Sequence, residues 1–298
     1  MKVLVTGAAG FLASHVADAF VENGEEVIAF DLVPAAGHST IKGDLLAAKD
    51  VRAAMKGVDA VCHLAAVGDV YLAADKPALA AAVNVTGTAN VCDAALAEGA
   101  RVVIASTWEV YGEPQYDPID EHHPCDPDHP YNITKLAGER LAMAYERLKG
   151  LPVIALRLGT AYGTRMRPNS VFSTFIDRAL RGEALTIHGA GSQSRQFTHT
   201  SDIAKAFLAA ARSDLTGSVY NTVAERAISI RDLANMIAEL IPTSVSYGPP
   251  RPGDVPSARV SSALALRDLG WRATADFDVG LASMVDERKE LPGALKGR

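Results

Sequence analysis

Residues 2–13 read Lys-Val-Leu-Val-Thr-Gly-Ala-Ala-Gly-Phe-Leu-Ala, a short apolar run that breaks at Gly7 and Gly10 and then turns helical. Glycine at these two positions permits a tight turn and close approach of a bulky anion, whose charge is favoured by the free N–H groups opening the next helix. Strand, glycine turn and helix in that order predict a cradle for the pyrophosphate of a dinucleotide, with Ala9, Phe11 and Leu12 beside it. Ala13 replaces the third glycine of the GxxGxxG pattern, which tightens helix packing and leaves the phosphate cradle intact. Asp31 ends the next apolar run, about 20 residues on, where a carboxylate accepts hydrogen bonds from the adenosine ribose and repels a 2′-phosphate. Leu32 and Val33 follow without an arginine, so the expected cofactor is NAD rather than NADP.

Working outward, apolar runs of strand length recur at residues 26–30, 60–64, 101–106 and 152–156. Helical periods fall between them, at residues 11–23 with Phe11, His15, Val16, Ala19 and Phe20 on one face, at 79–99 and at 131–150. This alternation predicts an α/β fold, a Rossmann-type doubly wound parallel sheet, as a cofactor domain over residues 1–160. Gly/Pro-rich stretches at 163–170, 189–194 and 248–257 then interrupt shorter helical pieces at 173–181, 201–211 and 230–241. They predict a smaller C-terminal α/β lobe over residues 161–298, with some later segments returning to the first domain and a cleft between the two.

The 298 residues are 48% hydrophobic and 21% charged, which excludes intrinsic disorder. Twenty-nine basic against 35 acidic side chains give a net charge of −6 with no run of one sign, so a nucleic-acid partner is not expected. The longest uncharged stretch, residues 77–92, contains Asn84, Thr86, Gly87 and Thr88, too polar for a membrane span. Cys62, Cys92 and Cys125 are odd in number and outside any CxxC pattern, and no signal-peptide core is present, so a cytoplasmic protein with reduced thiols is expected. His122, His123, Cys125, Asp126, Asp128 and His129 are ligand types without ligand spacing, and no metal is expected.

Tyr131 and Lys135 share one helical face at i, i+4. An ammonium beside a phenol lowers the phenol's pKa, which would let Tyr131 serve as general base towards a substrate hydroxyl.

Read together, the motifs resemble the extended short-chain dehydrogenases/reductases, in the NAD-dependent nucleotide-sugar epimerase/dehydratase family that includes UDP-glucose 4-epimerase-like proteins. The resemblance spans nearly the whole chain. It rests on TGAAGFLA at 6–13, Asp31, Gly43-Asp44-Leu45, His63-Leu64-Ala65-Ala66, Asn84-Val85-Thr86-Gly87-Thr88, ASTWEVYG at 105–112 and YNITK at 131–135. RLGTAYG at 157–163, SRQFTHTSDI at 194–203, Arg251-Pro252-Gly253-Asp254 and Leu269-Gly270-Trp271 continue it.

The resemblance implies that Asp44 and Leu45 lie near the adenine, that Leu64, Ala65, Ala66, Ala105 and Ser106 run along the cofactor, and that Asn84 and Lys135 meet the nicotinamide ribose. It implies a nucleoside-diphosphate sugar as substrate, with Thr107 bonded to the hydroxyl being oxidised, Trp108 as an aromatic wall of the pocket, and Tyr131 taking the proton from the C4 hydroxyl; Thr160 stands where the family usually carries an Asn that contacts the substrate phosphate. Arg195 and Arg251 would meet the diphosphate and Asp254 a nucleotide hydroxyl, and a homodimer would form through the helices near 79–98 and 131–149.

Within the family, Thr-x-Glu at 107–109 leans towards dehydration, with Glu109 acting at C5. Trp108, however, stands where hexose 4,6-dehydratases carry an acid, and Ala263 where decarboxylases carry a basic residue. Epimerisation at C4 is therefore the favoured expectation, with a nucleotide-sugar dehydratase of the 4,6- or 5,6-type using Glu109 at C5 and an NAD-dependent reductase of a non-sugar carbonyl as alternatives.

Overall fold

The computed structural model describes residues 1–249 and 258–291. In chain order the first six strands are β1 Lys2–Thr6, β2 Glu26–Asp31, β3 Thr40–Lys42, β4 Ala60–His63, β5 Arg101–Thr107 and β6 Val153–Leu158. They are followed by β7 Thr160–Tyr162, β8 Leu185–His188, β9 Ser194–Arg195, β10 Phe197–His199, β11 Ser218–Thr222, β12 Ile228–Ser229 and β13 Val245–Gly248. The helices are α1 Phe11–Glu22, α2 Ala48–Met55, α3 Val70–Asp75, α4 Pro77–Ala81, α5 Thr88–Glu98 and α6 Pro130–Lys149. Then come α7 Val171–Leu180, α8 Thr200–Arg212, α9 Ile230–Leu240, α10 Ala263–Leu269 and α11 Phe277–Glu290.

Seven strands form one parallel sheet in the order β11-β6-β5-β4-β1-β2-β3. The winding runs one way from β1 to β3 and the other way from β4 to β11. That reversal opens a crevice at the carboxyl ends of β1 and β4, where open sheets of this kind bind ligands. The continuous apolar runs of the sequence arise because both faces are covered: Val3 and Val5 of β1 pack with α1 and α8, whereas Leu4 packs on the opposite side with α2 and α5.

A second, smaller core gathers Tyr162, Phe172, Phe175, Phe197, Leu233 and Phe277 from α7, α9, α11 and the short strands. Its sheets are three two-stranded pairs, β7 with β10, β8 with β13 and β9 with β12. Stacking of Tyr162 on Phe172, with ring centroids 5.4 Å apart, contributes to this core.

Residues 200–222 are later segments that return to the large sheet: α8 lies beside α1, and β11 forms the sheet's edge next to β6. Elsewhere the structure departs from the sequence reading. The helical period at 79–99 is not one helix, because a π-helical turn, Ala82–Gly87, separates α4 from α5. In α1 the buried stripe is Ala13, Val16, Ala17 and Phe20. Phe11 instead lines the crevice, and His15 turns to the second lobe, where its Nε2 lies 2.9 Å from the Thr164 carbonyl oxygen. No helix among the described residues is long and apolar enough to cross a membrane.

Candidate active site

A cavity of about 570 Å³ occupies the crevice, with Gly7, Gly10, Phe11 and Leu12 at one end. Thr107, Glu109, Tyr131 and Lys135 line its middle, and Thr160, Arg167 and Phe197 close it from the second lobe.

Backbone geometry builds the glycine end. Gly7 has φ +73°, and a Cβ there would sit 2.8 Å from the Ala65 Cα, so only glycine lets the β1 turn abut the loop after β4. Helix α1 starts at Gly10 with no side-chain cap, leaving its first-turn N–H groups for a ligand. Asp31 accepts hydrogen bonds from the backbone N–H groups of Ala9 at 3.1 Å and Val33 at 3.3 Å, which hold its carboxylate at the edge of this loop. A glycine cradle, an uncapped helix N-terminus and a carboxylate beyond them fit a dinucleotide.

Helix α6 carries the middle of the site. Pro130 suits its first turn, and the His129 ring accepts a hydrogen bond from the Tyr131 N–H at 3.2 Å. From there Tyr131, Lys135 and Glu139 recur at i, i+4 and i+8 along one face. Burial lowers the Lys135 ammonium to about 8, against the opposing charge of Glu139. Glu139 is itself buried and accepts hydrogen bonds from Ser106 Oγ at 2.6 Å, Arg157 Nε at 3.0 Å and Arg157 Nη2 at 2.6 Å. The Arg157 guanidinium lies 4.7 Å from the Tyr111 ring centroid, which completes its enclosure.

The expected lowering of the Tyr131 phenol is not what this geometry produces. Burial first, and the charge of Glu109 second, push the phenol above its ordinary range, with Arg167 opposing. Placing a phenolate in a dry pocket beside a carboxylate costs more than the nearby cation returns. Glu109 is also raised, by burial, against the charges of Arg195, His129 and Arg167. Thr107 Oγ1 accepts the Glu109 N–H at 3.3 Å, fixing the turn after β5.

Residues 3–222 match the NAD dependent epimerase/dehydratase family. The chain belongs to that family. It is 30% identical to the UDP-glucose 4-epimerase of Mycolicibacterium smegmatis over 96% of this chain and 98% of that protein. Among solved structures it is similar to MoeE5 in complex with UDP-glucuronic acid and NAD, at 36% identity and a TM-score of 0.90, covering 98% of this chain and 100% of that one. It is also similar to the UDP-glucose 4-epimerase of Thermotoga maritima with UDP-glucose, at 28% identity and a TM-score of 0.91, covering 97% of this chain and 99% of that one. The matched family is NAD-dependent, which agrees with the glycine cradle at one end of the cavity and Asp31 beside it.

Several residues chosen from the sequence lie elsewhere in the structure. Leu64, Ala66, Ala105 and Ser106 line the cavity, although the Ser106 hydroxyl turns away to Glu139. Leu45 points into the core against Gly87, and Asp44 caps the following turn through the Leu46 N–H at 2.9 Å, so neither lines the cavity. The Asn84 amide is consumed within the fold. Its Oδ1 accepts the Val67 N–H at 2.8 Å, and its Nδ2 donates to the Val67 carbonyl at 3.3 Å and to Thr134 Oγ1 at 3.0 Å. Asn84 therefore braces the loop that carries Leu64 to Val67 and leaves no donor for a ribose.

Trp108 lines the cavity and packs with Tyr111, Ile119, Val223 and Val260. Arg195 lies in an adjoining cavity of about 340 Å³ that shares Thr160, Val171 and Phe197 with the first. Arg251 and Asp254 lie outside the described residues.

Three features of the epimerase/dehydratase escaped the sequence reading. The Glu139–Arg157 pair was foreshadowed only by the continuation of the Tyr-x-x-x-Lys spacing to residue 139. Arg167 sat within a stretch read as loop. His63 anchors a buried chain of hydrogen bonds: Thr88 Oγ1 donates to the Asn84 carbonyl at 2.8 Å, which leaves its lone pairs for His63 Nε2–H at 3.0 Å. Nδ1 then accepts from Thr6 Oγ1 at 2.8 Å, and burial lowers the imidazole to about 3, keeping it neutral. The chain ties β1 and β4 to the π turn, a local geometry often found at functional sites.

Proposed function

We propose that the protein interconverts the C4 epimers of a UDP-sugar, with Tyr131 as the base for the C4 hydroxyl. The observation that carries this reading is the convergence of Thr107, Tyr131 and Lys135 on one cavity whose far end is the glycine cradle. NAD, when bound, accepts the C4 hydride and later returns it. Thr107 orients the hydroxyl, Tyr131 takes its proton, and the Lys135 ammonium offsets the phenolate that forms. Arg195, in the adjoining cavity, meets the diphosphate with a guanidinium fork. That grip argues against a reductase of a non-sugar carbonyl.

Dehydration is the second reading, because Glu109 shares the cavity with Tyr131. It requires both a base at C5 and an acid at the departing hydroxyl, and Trp108 beside Glu109 supplies no acid. The relatives quoted above include UDP-glucose 4-epimerases, which supports the first reading. The same reading includes a cytoplasmic homodimer through α5 and α6, where Ile133 and Leu148 are exposed, and analytical ultracentrifugation tests its assembly.

Incubation with UDP-sugars in deuterated water, read by mass spectrometry, decides between the chemistries. An altered sugar of unchanged mass is expected. A net loss of about 17 mass units, water lost and one deuterium gained at C5, would establish dehydration instead.

A further inference from the structure

Lys135 and Arg167 are the only cations among the described residues that line the main cavity. Lys135 is buried on α6, whereas Arg167 comes from the loop between β7 and α7 and spans the mouth to the loop after β4. Its Nη1 donates to the Gly68 carbonyl at 3.2 Å and lies 3.5 Å from the Asp69 carboxylate. Its Nε and Nη2 make no hydrogen bond among the described residues, and its charge reaches both Tyr131 and Glu109. A half-exposed guanidinium with donors to spare therefore stands over the two groups that flank C4 and C5 of a sugar seated at Tyr131.

Resting on the reading of Tyr131 as the C4 base, we propose that Arg167 selects a sugar whose C6 is a carboxylate, so that the preferred substrate is a nucleoside-diphosphate uronic acid. C6 is bonded to C5, next to the carbon being oxidised, so the proposal places its substituent towards Glu109 and Arg167, which line the same cavity as Tyr131. A hydroxymethyl group there meets the guanidinium only as a neutral acceptor. A carboxylate matches the planar fork with two charge-assisted hydrogen bonds. Burial raises the Glu109 carboxyl against the charges of Arg195, His129 and Arg167, so Arg167 is the group in this part of the cavity that favours a substrate carboxylate.

Two chemical consequences follow from a carboxylate at C6. No hydroxyl is available there to depart, so 4,6-dehydration is closed. Oxidation at C4 makes a β-keto acid, in which the C5–C6 bond can break, its electron pair moving into the C4 carbonyl as CO2 leaves. Pairing with Arg167 stabilises the charged carboxylate relative to neutral CO2 and opposes that loss. The balance then closes within the site: the O4 proton goes to Tyr131 and returns, and the hydride removed from C4 is restored to the other face.

The test uses the full-length protein with UDP-glucuronic acid and UDP-glucose, measuring kcat/KM for each and the dissociation constants by calorimetry. The proposal expects a preference for UDP-glucuronic acid of about 30-fold or more, the scale of a hydrogen-bonded charge pair. Arg167→Gln should collapse that ratio and weaken UDP-glucuronic acid binding by a similar factor, and Arg167→Lys should restore part of it. The proposal is overturned by equal losses for both substrates in Arg167→Gln, which would make Arg167 a latch between loops. It is also overturned by a wild-type preference for UDP-glucose, or by loss of 44 mass units from UDP-glucuronic acid. Turnover of UDP-glucose without the uronate preference defeats this proposal alone, whereas full activity of Tyr131→Phe on either sugar defeats the reading beneath it.

Discussion

The two ends of the cavity are built by different means. At the glycine end the protein uses backbone: the Gly7 turn against Ala65, the uncapped start of α1 and the carboxyl end of β2. At the end proposed for the substrate the lining includes side chains, Arg167 and, in the adjoining cavity, Arg195, carried on irregular or two-residue elements of the second lobe. Between them, α6 supplies Tyr131 and Lys135 from a regular helix braced by the Glu139–Arg157 pair. On the proposed reading, the contrast puts the redox chemistry on rigid, locally encoded geometry and selectivity on segments that can change without disturbing the sheet.

The largest expected effect tests the junction of the two ends. Tyr131→Phe should lower turnover by about 10³-fold or more while dinucleotide binding, followed by fluorescence or calorimetry, persists. Retained turnover would remove the base from the site.

Next comes the brace. Glu139→Ala leaves Arg157 as an uncompensated buried charge, and urea unfolding should show a loss of about 3–5 kcal/mol. A loss below about 1 kcal/mol would mean that the helix is positioned by packing alone.

The His63 chain predicts an acid limb. The folded imidazole titrates near 3 and the unfolded one near 6.5, so the unfolded state takes up the proton first as pH falls. The stability held by the neutral ring is complete above that upper value and is lost progressively down to the lower one. Comparing urea unfolding at pH 7 and pH 4, His63→Gln should lose roughly 3 kcal/mol less than the parent. Parallel losses in the two proteins would show that His63 is solvated.

The smallest effects separate the ends directly. Gly7→Ala should weaken NAD about tenfold through backbone strain and its contact with Ala65, with UDP binding nearly unchanged. Arg195→Ala should do the reverse, weakening UDP about tenfold and sparing NAD. Calorimetric titration with each nucleotide reads both variants, and equal losses in either would erase the contrast.

How much was legible follows the same division. Gly7, Gly10 and Asp31 could be read because a turn, a helix start and a strand end are decided by neighbouring residues. Tyr131 and Lys135 could be paired because helical spacing puts them on one face. Asn84 and Leu45 were assigned to the cofactor because their motifs match, yet Asn84 spends its amide on Val67 and Thr134 and Leu45 enters the core. Competition among buried polar groups for partners is a three-dimensional account that spacing does not contain. The raised Tyr131 phenol has the same origin, since desolvation depends on everything that encloses it.

By itself the sequence determined the parallel α/β sheet, the dinucleotide cradle, the preference for NAD and the Tyr-x-x-x-Lys stripe, because each follows from periodicity or from local backbone freedom. Only the tertiary structure decided that α8 and β11 return to the sheet, that Ser106 and Arg157 converge on Glu139, and that Arg167 crosses to Gly68, 99 residues away, to stand over the active site. Those arrangements depend on burial and on contacts between distant segments, whose energies appear only when the chain has packed.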